Sequence, residues 1–564
     1  MKTIQGISRQ QMQFSSLDDL IAADNTVRIL DAFVEKLDLI AIGLSKIGIE
    51  QRSVKQQQTK TNPGGAPRFD DKLLLKLYLY GYFNKIRSSR KLEQECYRNV
   101  ELRWLMQELA PNYHTIADFR KIHSDALKNL FKLYVLFLDE LNLLGKQTIA
   151  VDGSKFRAVN SRKNNYNQKK IDKHQTMIGE KAENYLKELD ELDNNETDDN
   201  GPSYRKEEVE AALQRLMERK IKYDNLQQQL DNTEEKQIST SDADSRAIII
   251  NKNIVEVSYN TQTAVDAKHN LFVHAQATNT NDGKALHRAT IQAKENMSLT
   301  KEHCLDVLSD KGYHTGAELH GCHADNIETY VAFKEQPSVK HLQKEFLSTQ
   351  FIYNKEEDSY TCPAGQTLTS LNTWHHKKGD AGETSYRFKT YRTPACKTCS
   401  LKKHCTKLNK RIIHRSEYQD AVDRNNENIR QNPDYYKRRQ SICEHPFGTI
   451  KRQWGYTYTL MKGLQKVDGE MNLIMLVYNI KRTLTILGFT KMLQVLQNWK
   501  PDYGKVLCQF ISNQMRRYWR QLIELFFLTA NPSFNIKIGI KALPMKQAEF
   551  YKPAIRIKRS FFTF

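Results

Sequence analysis

The sequence has no run of about 18 consecutive apolar residues, the length a helix needs to cross a bilayer, so no membrane span and no membrane partner are expected. The N-terminal run MKTIQGISRQQMQFSS lacks the apolar core of a secretory signal. Cysteine is sparse, nine residues in 564, without the dense, even spacing of a disulfide framework. That usage fits a reducing, cytosolic setting with free thiols or metal ligands. Acidic residues are outnumbered: 66 Asp and Glu against 86 Lys and Arg leave a net charge of +20, a balance that favours a polyanionic partner. The length exceeds one ordinary core and predicts two to four domains.

What is present begins with helix. Leu17, Leu20, Ile21, Val27, Leu30 and Phe33 recur at helical spacing. A polar stretch over 51–68, rich in Gly, Pro and Lys, reads as a linker, after which Asp70 or Asp71 can cap the helix carrying LLLKLYLYGYF. Short helices joined by tight turns, with Arg87, Arg90, Lys91, Arg98, Arg103, Arg120 and Lys121 outward, suit a helix-turn-helix on DNA; an ordinary helical domain with a solvated basic face fits the same pattern.

From Gln147 the pattern changes. Gln147 to Asp152 reads as a strand with Asp152 at its end. Ile178, Ala182, Tyr185, Leu189 and Leu192, then Val209, Leu213, Leu216, Tyr223, Leu226 and Leu230, repeat at spacings that predict an antiparallel coiled-coil hairpin within 165–240. Its acidic part repels DNA and marks it as peripheral or as a protein contact. IIINKNIVEVSYNTQTAVD and LFVHAQATN flank a four-residue polar turn, AKHN, and predict a β-hairpin or meander; Asp266 belongs to that turn. KALHRATIQAKENM reads as a helix and CLDVLSD as a buried strand ending at Asp310. Helix dominates again from 434 to 490, and the final YKPAIRIKRSFFTF is either an ordered tail or a loose one on DNA. The fold class is α/β: a mixed sheet that collects carboxylates at one edge.

Three carboxylates stand out for the segments around them: Asp152 in TIAVDGSKF, Asp310 in LDVLSDKGYHTG and Glu444 in CEHPFGTIKRQWGY. Gathered together, three carboxylates hold two divalent ions against a phosphodiester. Their hard oxygens suit Mg²⁺ or Mn²⁺, with Asp152 as the bridge between the two ions.

These segments resemble those of DDE transposases from bacterial insertion sequences. VDGSKF resembles the first-Asp strand, SDKGYHTG the second-Asp segment with basic Lys311 following the Asp, and EHPFGTIKRQWGY the Glu helix. One branch of that family spaces Tyr, Arg, Glu and Lys along this helix. Tyr436 and Arg439 keep its first interval, and Glu444 and Lys451 keep its last; the middle interval is one residue longer, and Gln440 stands where Arg is expected. One helical residue is about 100° of rotation, so Arg439 is expected off the usual face.

The resemblance implies an RNase H-like mixed-sheet core over 146–320 and 426–490, carrying the hairpin insertion. It further implies a helical DNA-binding domain over 1–145, an insertion domain over 321–425 and a basic extension over 491–564. It implies metal-dependent cleavage at terminal inverted repeats and attack of the freed 3′-hydroxyl on target DNA. A homodimeric synaptic complex in the bacterial cytoplasm, associated with the nucleoid, belongs to the same picture. Asp152, Asp310 and Glu444 are its metal ligands, and Lys451, Arg452, Tyr436, Arg439 and Lys311 its DNA contacts. A silent DNA-binding regulator and a metal nuclease without strand transfer are the alternatives.

Within the insertion, Cys362, the CKTC pair Cys396 and Cys399, and Cys405 have the makings of a structural S₄ zinc site, with His375 or His404 as substitutes for one thiol. Four free thiols in a variable insert fit equally.

Overall fold

The computed structural model describes residues 10–12, 14–44, 68–195, 204–232, 236–251, 254–333, 343–378 and 384–504. Most of the expected linker, the tip of the coiled-coil hairpin and the basic, aromatic C-terminal tail lie outside the described residues.

The front of the chain is helical: α1 (Val27–Glu35), α2 (Asp71–Phe83), α3 (Ser89–Arg98), α4 (Val100–Leu105), α5 (Tyr113–Ile122) and α6 (Ser124–Glu140). Helices α2 to α5 start where a short polar side chain accepts an N–H left unpaired by the first turn: Asp70 from Lys72, Ser88 from Lys91, Asn99 from Glu101 and Leu102, and Asn112 from Thr115. Helix α2 is buried almost all round, which explains its lack of a polar face. Its core is continuous with that of the rest of the protein, so these helices do not pack as an independent module.

Two of the basic residues expected outward are internal. Arg87 and Arg120 are buried, Arg87 stacking over the Tyr456 and Tyr458 rings and pairing with fully buried Glu470 at 3.5 Å. Arg120 donates to the Tyr82 hydroxyl at 2.8 Å. Arg90, Lys91, Arg98 and Lys121 are exposed as expected.

The central sheet contains β1 (Thr148–Arg157), β4 (Arg246–Asn251), β5 (Ile254–Asp266), β6 (Leu271–Thr278), β7 (Leu305–Ser309) and β8 (Ile327–Val331). Its order is β4-β5-β1-β7-β8, with β6 beside the other half of the β5 edge that β4 occupies. Strand β1 is antiparallel to β5 and parallel to β7, and β7 is parallel to β8. This is the RNase H-like mixed sheet. Helix α9 (Leu286–Asn296), helix α13 (Pro433–Phe447) and helix α14 (Leu464–Leu487) pack against it.

Strand β1 does not end at Asp152. Its antiparallel partner β5 stays in register as far as Arg157 opposite Ser258, so β1 runs five residues past the carboxylate. The turn after β5 falls where AKHN placed it, between Asp266 and Leu271. Asp266 is fully buried, and its carboxylate accepts from the backbone N–H groups of Gly145, Lys146 and Lys268, pinning the entry to β1.

Short strands β2 (Asn165–Asn167) and β3 (Gln237–Ser239) pair at the base of the hairpin of α7 (Gln168–Asn195) and α8 (Tyr204–Asp231). Ile171 and Ile178 meet Leu216, Tyr223, Leu226 and Leu230 along its seam. The cross-links Gln168 to Gln227, Gln175 to Asp224 and Arg205 to Glu188 run in opposite senses along the two helices, the antiparallel arrangement expected.

The expected insertion boundary at 321 falls inside α10 (Gly316–Ala324), and β8 beyond it belongs to the central sheet. The separate part is tighter. It is a second sheet of β9 (Ile352–Asn354), β10 (Ser359–Thr361), β11 (Thr367–Ser370), β12 (His375–Lys378), β13 (Thr384–Arg392) and β14 (Ile413–Ser416), with short helix α11 (Lys402–Cys405) before β14. Helix α12 (Gln419–Gln431) returns to pack on β8 and α10, so residues past 418 are again core. Helix α15 (Phe489–Asn498) closes the described chain. Among the described residues no single helix is long and apolar enough to cross a membrane.

Gly469 shows how tightly α14 is seated. A Cβ there would lie 2.6 Å from the Ser124 Cα and 2.7 Å from its carbonyl oxygen. Gly to Ala in a helix ordinarily gains about 1 kcal/mol. Here the obstacle is backbone, and Gly469→Ala is expected to destabilise by about 1–3 kcal/mol, read as a lowered midpoint in urea at unchanged slope.

Candidate active site

The parallel ladder between β1 and β7 runs from Thr148 opposite Asp306 to Val151 opposite Ser309. Asp152 and Asp310 each follow that last rung by one residue. Adjacent strands lie about 4.8 Å apart, so two carboxylates leave neighbouring strands at one level. Ile149, Ala150 and Val151 are fully buried and hold the central strand rigid below them. Asp152 accepts the Gly153 N–H at 2.9 Å, and Asp310 caps the turn after β7 by accepting the Gly312 N–H at 2.8 Å.

Charge is concentrated here. Burial lifts the Asp152 carboxyl to about 6; the Arg439 guanidinium opposes that rise, while Asp310 and, more weakly, Asp282 add to it. Arg439 therefore faces the aspartate pair despite the lengthened interval before Glu444, and its own proton is held more tightly because of Asp152 and Asp310, against a burial that works the other way. Four residues on, Cys443 lies on the same face of α13, fully buried. Burial, then Asp152, Glu444 and Asp310, push its thiol far up.

Glu444 is the next residue round the helix and is exposed. Its carboxylate acts on the sulfur of its chain neighbour Cys443, as both aspartates do. Among the described residues no three His, Cys, Asp or Glu groups stand as a finished metal cluster: Asp152 and Asp310 leave neighbouring strands at one level, and Glu444, exposed on α13, is not gathered with them.

The remaining expected residues divide in two. Lys311 and Arg452 are exposed, and Tyr436 is half-buried beside Arg439. Lys451 turns inward: its ammonium donates to the Lys155 carbonyl at 2.7 Å and sits 4.6 Å from the Phe156 ring centroid. Burial lowers its pKa to about 8, with Asp152 pulling the other way. It belongs to a π-helical turn, Gly448–Gln453, that continues α13, a distortion often found at functional sites. Beyond that turn Thr457 and Thr459 bond to both sides of Arg157 and clasp the end of β1.

Asp282 is a residue the sequence reading missed. It sits under the opposite face of β1, where Asn260 and Gln262 donate to one oxygen at 2.7 and 2.8 Å and Lys155 approaches the other at 3.8 Å. A Cβ at Gly153 would come within 2.2 Å of that carboxylate, which explains why glycine follows the first Asp. In TNTNDGK it reads only as a turn residue.

The hard oxygens of Asp152 and Asp310, on adjacent rungs with one half-buried counter-charge between them and the helix, are a donor set that fits a divalent cation. Residues 361–484 match the family described as transposase DDE domain, and residues 15–122 match the family described as transposase domain (DUF772). The first match takes in the cysteine-bearing sheet and the helix of Glu444; Asp152 and Asp310 lie outside both. No curated protein matches the chain. These two matches, at its front and over its Glu helix, with a mixed RNase H-like sheet between them, support a DDE transposase of insertion-sequence type.

Proposed function

We propose that the protein binds the terminal inverted repeats of its element, cleaves DNA at the element ends and joins the freed 3′-hydroxyl to target DNA. It does so as a homodimeric synaptic complex in the bacterial cytoplasm, beside the nucleoid. The observation that carries this reading is the common rung from which Asp152 and Asp310 emerge. Asp152 from the central strand, Asp310 from its neighbour and Glu444 from α13 would hold the divalent ions. Two Mg²⁺ or Mn²⁺ ions bound there supply activation of the attacking hydroxyl and neutralisation of the leaving oxygen.

The protein's own side chains do the rest. Arg439 orients Asp152 and offsets part of its charge. Lys451 and the Thr457–Thr459 clasp fix the far end of β1. Exposed Lys311 and Arg452 are assigned to DNA phosphates near the cut, where cationic donors set register without reading sequence, and Tyr436 is assigned to the same strand.

The test is an element-end duplex incubated with Mg²⁺ and a target plasmid. Nicking at the end followed by a joined product is the expected result. Cutting without joining would reassign the protein as a nuclease. Binding without cutting, under any divalent ion, would favour a silent regulator, the reading to which the exposed position of Glu444 lends weight.

A further inference from the structure

The second sheet has little to hold it together. Among its described residues over 343–416 the core cluster is Phe351, Tyr360, Leu368, Tyr391 and Ile413, with Phe346 buried apart from it. Units this poor in apolar burial usually carry a disulfide or a metal. Four of the nine cysteines lie between 362 and 405, and all four are free thiols.

These four come from three separate backbone pieces. Cys362 follows β10, Cys396 lies within the 3₁₀ turn Pro394–Lys397 with Cys399 two residues beyond it, and Cys405 ends α11. All four line one cavity of about 30 Å³, room for a single ion or water.

The chain around Cys362 folds back so that a backbone donor meets its sulfur. The Gly365 N–H bonds back to the Cys362 carbonyl at 2.8 Å, Gly365 takes a positive φ of 74°, and the Gln366 N–H is thereby aimed at the Cys362 Sγ at 3.3 Å. Lys402 and Arg411 line the same cavity and add positive charge beside the thiols. Neither His375 nor His404 lines it, so the imidazoles are not needed as substitutes. The thiols surround the cavity without being drawn up into a finished cluster.

We propose that Cys362, Cys396, Cys399 and Cys405 bind one structural Zn²⁺ through four thiolates, pinning the β10 end, the CKTC turn and α11 into one unit. Four soft sulfur ligands select zinc over the hard cations suited to carboxylates, and a closed tetrahedral site leaves no position for catalysis.

The full-length protein, purified under reducing conditions, is expected to contain about one zinc per chain by atomic emission after dialysis against Mg²⁺. Replacing zinc with Co²⁺ is expected to give the intense visible absorption of tetrahedral cobalt thiolate. A Cys396→Ser/Cys399→Ser chain is expected to hold less than about a tenth of the zinc. Cys304→Ser, which alters an exposed thiol outside the cluster, should keep all of it. Should the double variant fail to fold, the zinc content and cobalt spectrum of the unaltered chain still decide the matter. A zinc-free, folded chain after reconstitution, an octahedral cobalt spectrum, or a Cys396–Cys399 disulfide in reduced preparations would overturn the proposal.

Discussion

Asp152→Asn is expected to abolish strand cleavage, by at least about 10³-fold, while DNA binding stays within a few-fold of the unaltered chain. Asparagine keeps the shape of the side chain and an oxygen for the Gly153 N–H, which now bonds at 2.9 Å. What it removes is the negative charge, and with it the metal ligand that the proposed function assigns to this position. The effect on stability should run the other way. In metal-free buffer Asp152 is buried among other acids, with Asp310 and Asp282 both pressing on it and Arg439 and the Gly153 N–H opposing. Removing its charge relieves that repulsion, so the thermal midpoint in chelator should rise. Loss of cleavage with gain of stability is the signature of a residue kept for chemistry. A structural residue would lose both. If Asp152→Asn still cuts within ten-fold of the unaltered rate, the assignment of the site fails. Asp310→Asn should match it in cleavage. Glu444→Gln is the sharper comparison, because Glu444 stands exposed on α13, and an equal loss there would show that it joins the pair when DNA and metal are bound.

The sequence made some of this arrangement legible and hid the rest for identifiable reasons. Local signals worked where local physics decides. Asp70 caps α2, AKHN turns between β5 and β6, and the seam of the coiled-coil hairpin uses Ile178, Leu216, Tyr223, Leu226 and Leu230. The carboxylate motifs were visible because each is written in a short segment. What failed were statements that depend on a distant partner. Asp152 looked like a strand terminus because the apolar run stops there, yet β5 carries the strand on to Arg157. Arg87 and Arg120 looked like surface charges because nothing near them in sequence shows the carboxylate at Glu470. β8 looked like insertion because its pairing with β7 is a tertiary fact. The phase of Arg439 could not be settled by counting, since the helix was judged from Glu444, whereas Arg439 and Cys443 are the residues that face Asp152. Asp282 had no signal beyond a turn, because the room it occupies is made by Gly153 on another strand.

Glu470→Ala should unfold the protein more readily than any surface change, by about 3–5 kcal/mol, because it leaves buried positive charge without a partner. Glu470 is fully buried in α14. One of its oxygens accepts the backbone N–H groups of Leu460 and Met461 at 2.9 and 3.1 Å; the other lies 3.3 Å from the Tyr82 hydroxyl and 3.5 Å from Arg87. Arg120 reaches the same Tyr82 hydroxyl at 2.8 Å, so two internal guanidiniums on the helical front end depend on one carboxylate nearly four hundred residues away. Glu470→Gln keeps an acceptor for the two N–H groups and loses only the charge, and a cost of roughly half is expected. Both are read by urea denaturation, with Arg87→Met added to Glu470→Ala as a second step. If the network acts as a unit, the double change should cost less than the sum of the singles by about 1–3 kcal/mol, since removing Arg87 takes away a charge that Glu470→Ala had stranded. Additive losses, or a Glu470→Ala cost below about 1 kcal/mol, would mean that the carboxylate is packing rather than an electrostatic anchor. The anchor matters for how the protein handles DNA. Exposed Arg90, Lys91 and Lys121 sit on helices that share a core with the catalytic sheet and are tied to α14 through this carboxylate. On the proposed function, DNA held by those helices keeps a fixed register with Asp152 and Asp310, whereas a separately folded reader on a flexible tether would leave the cut site to diffusion.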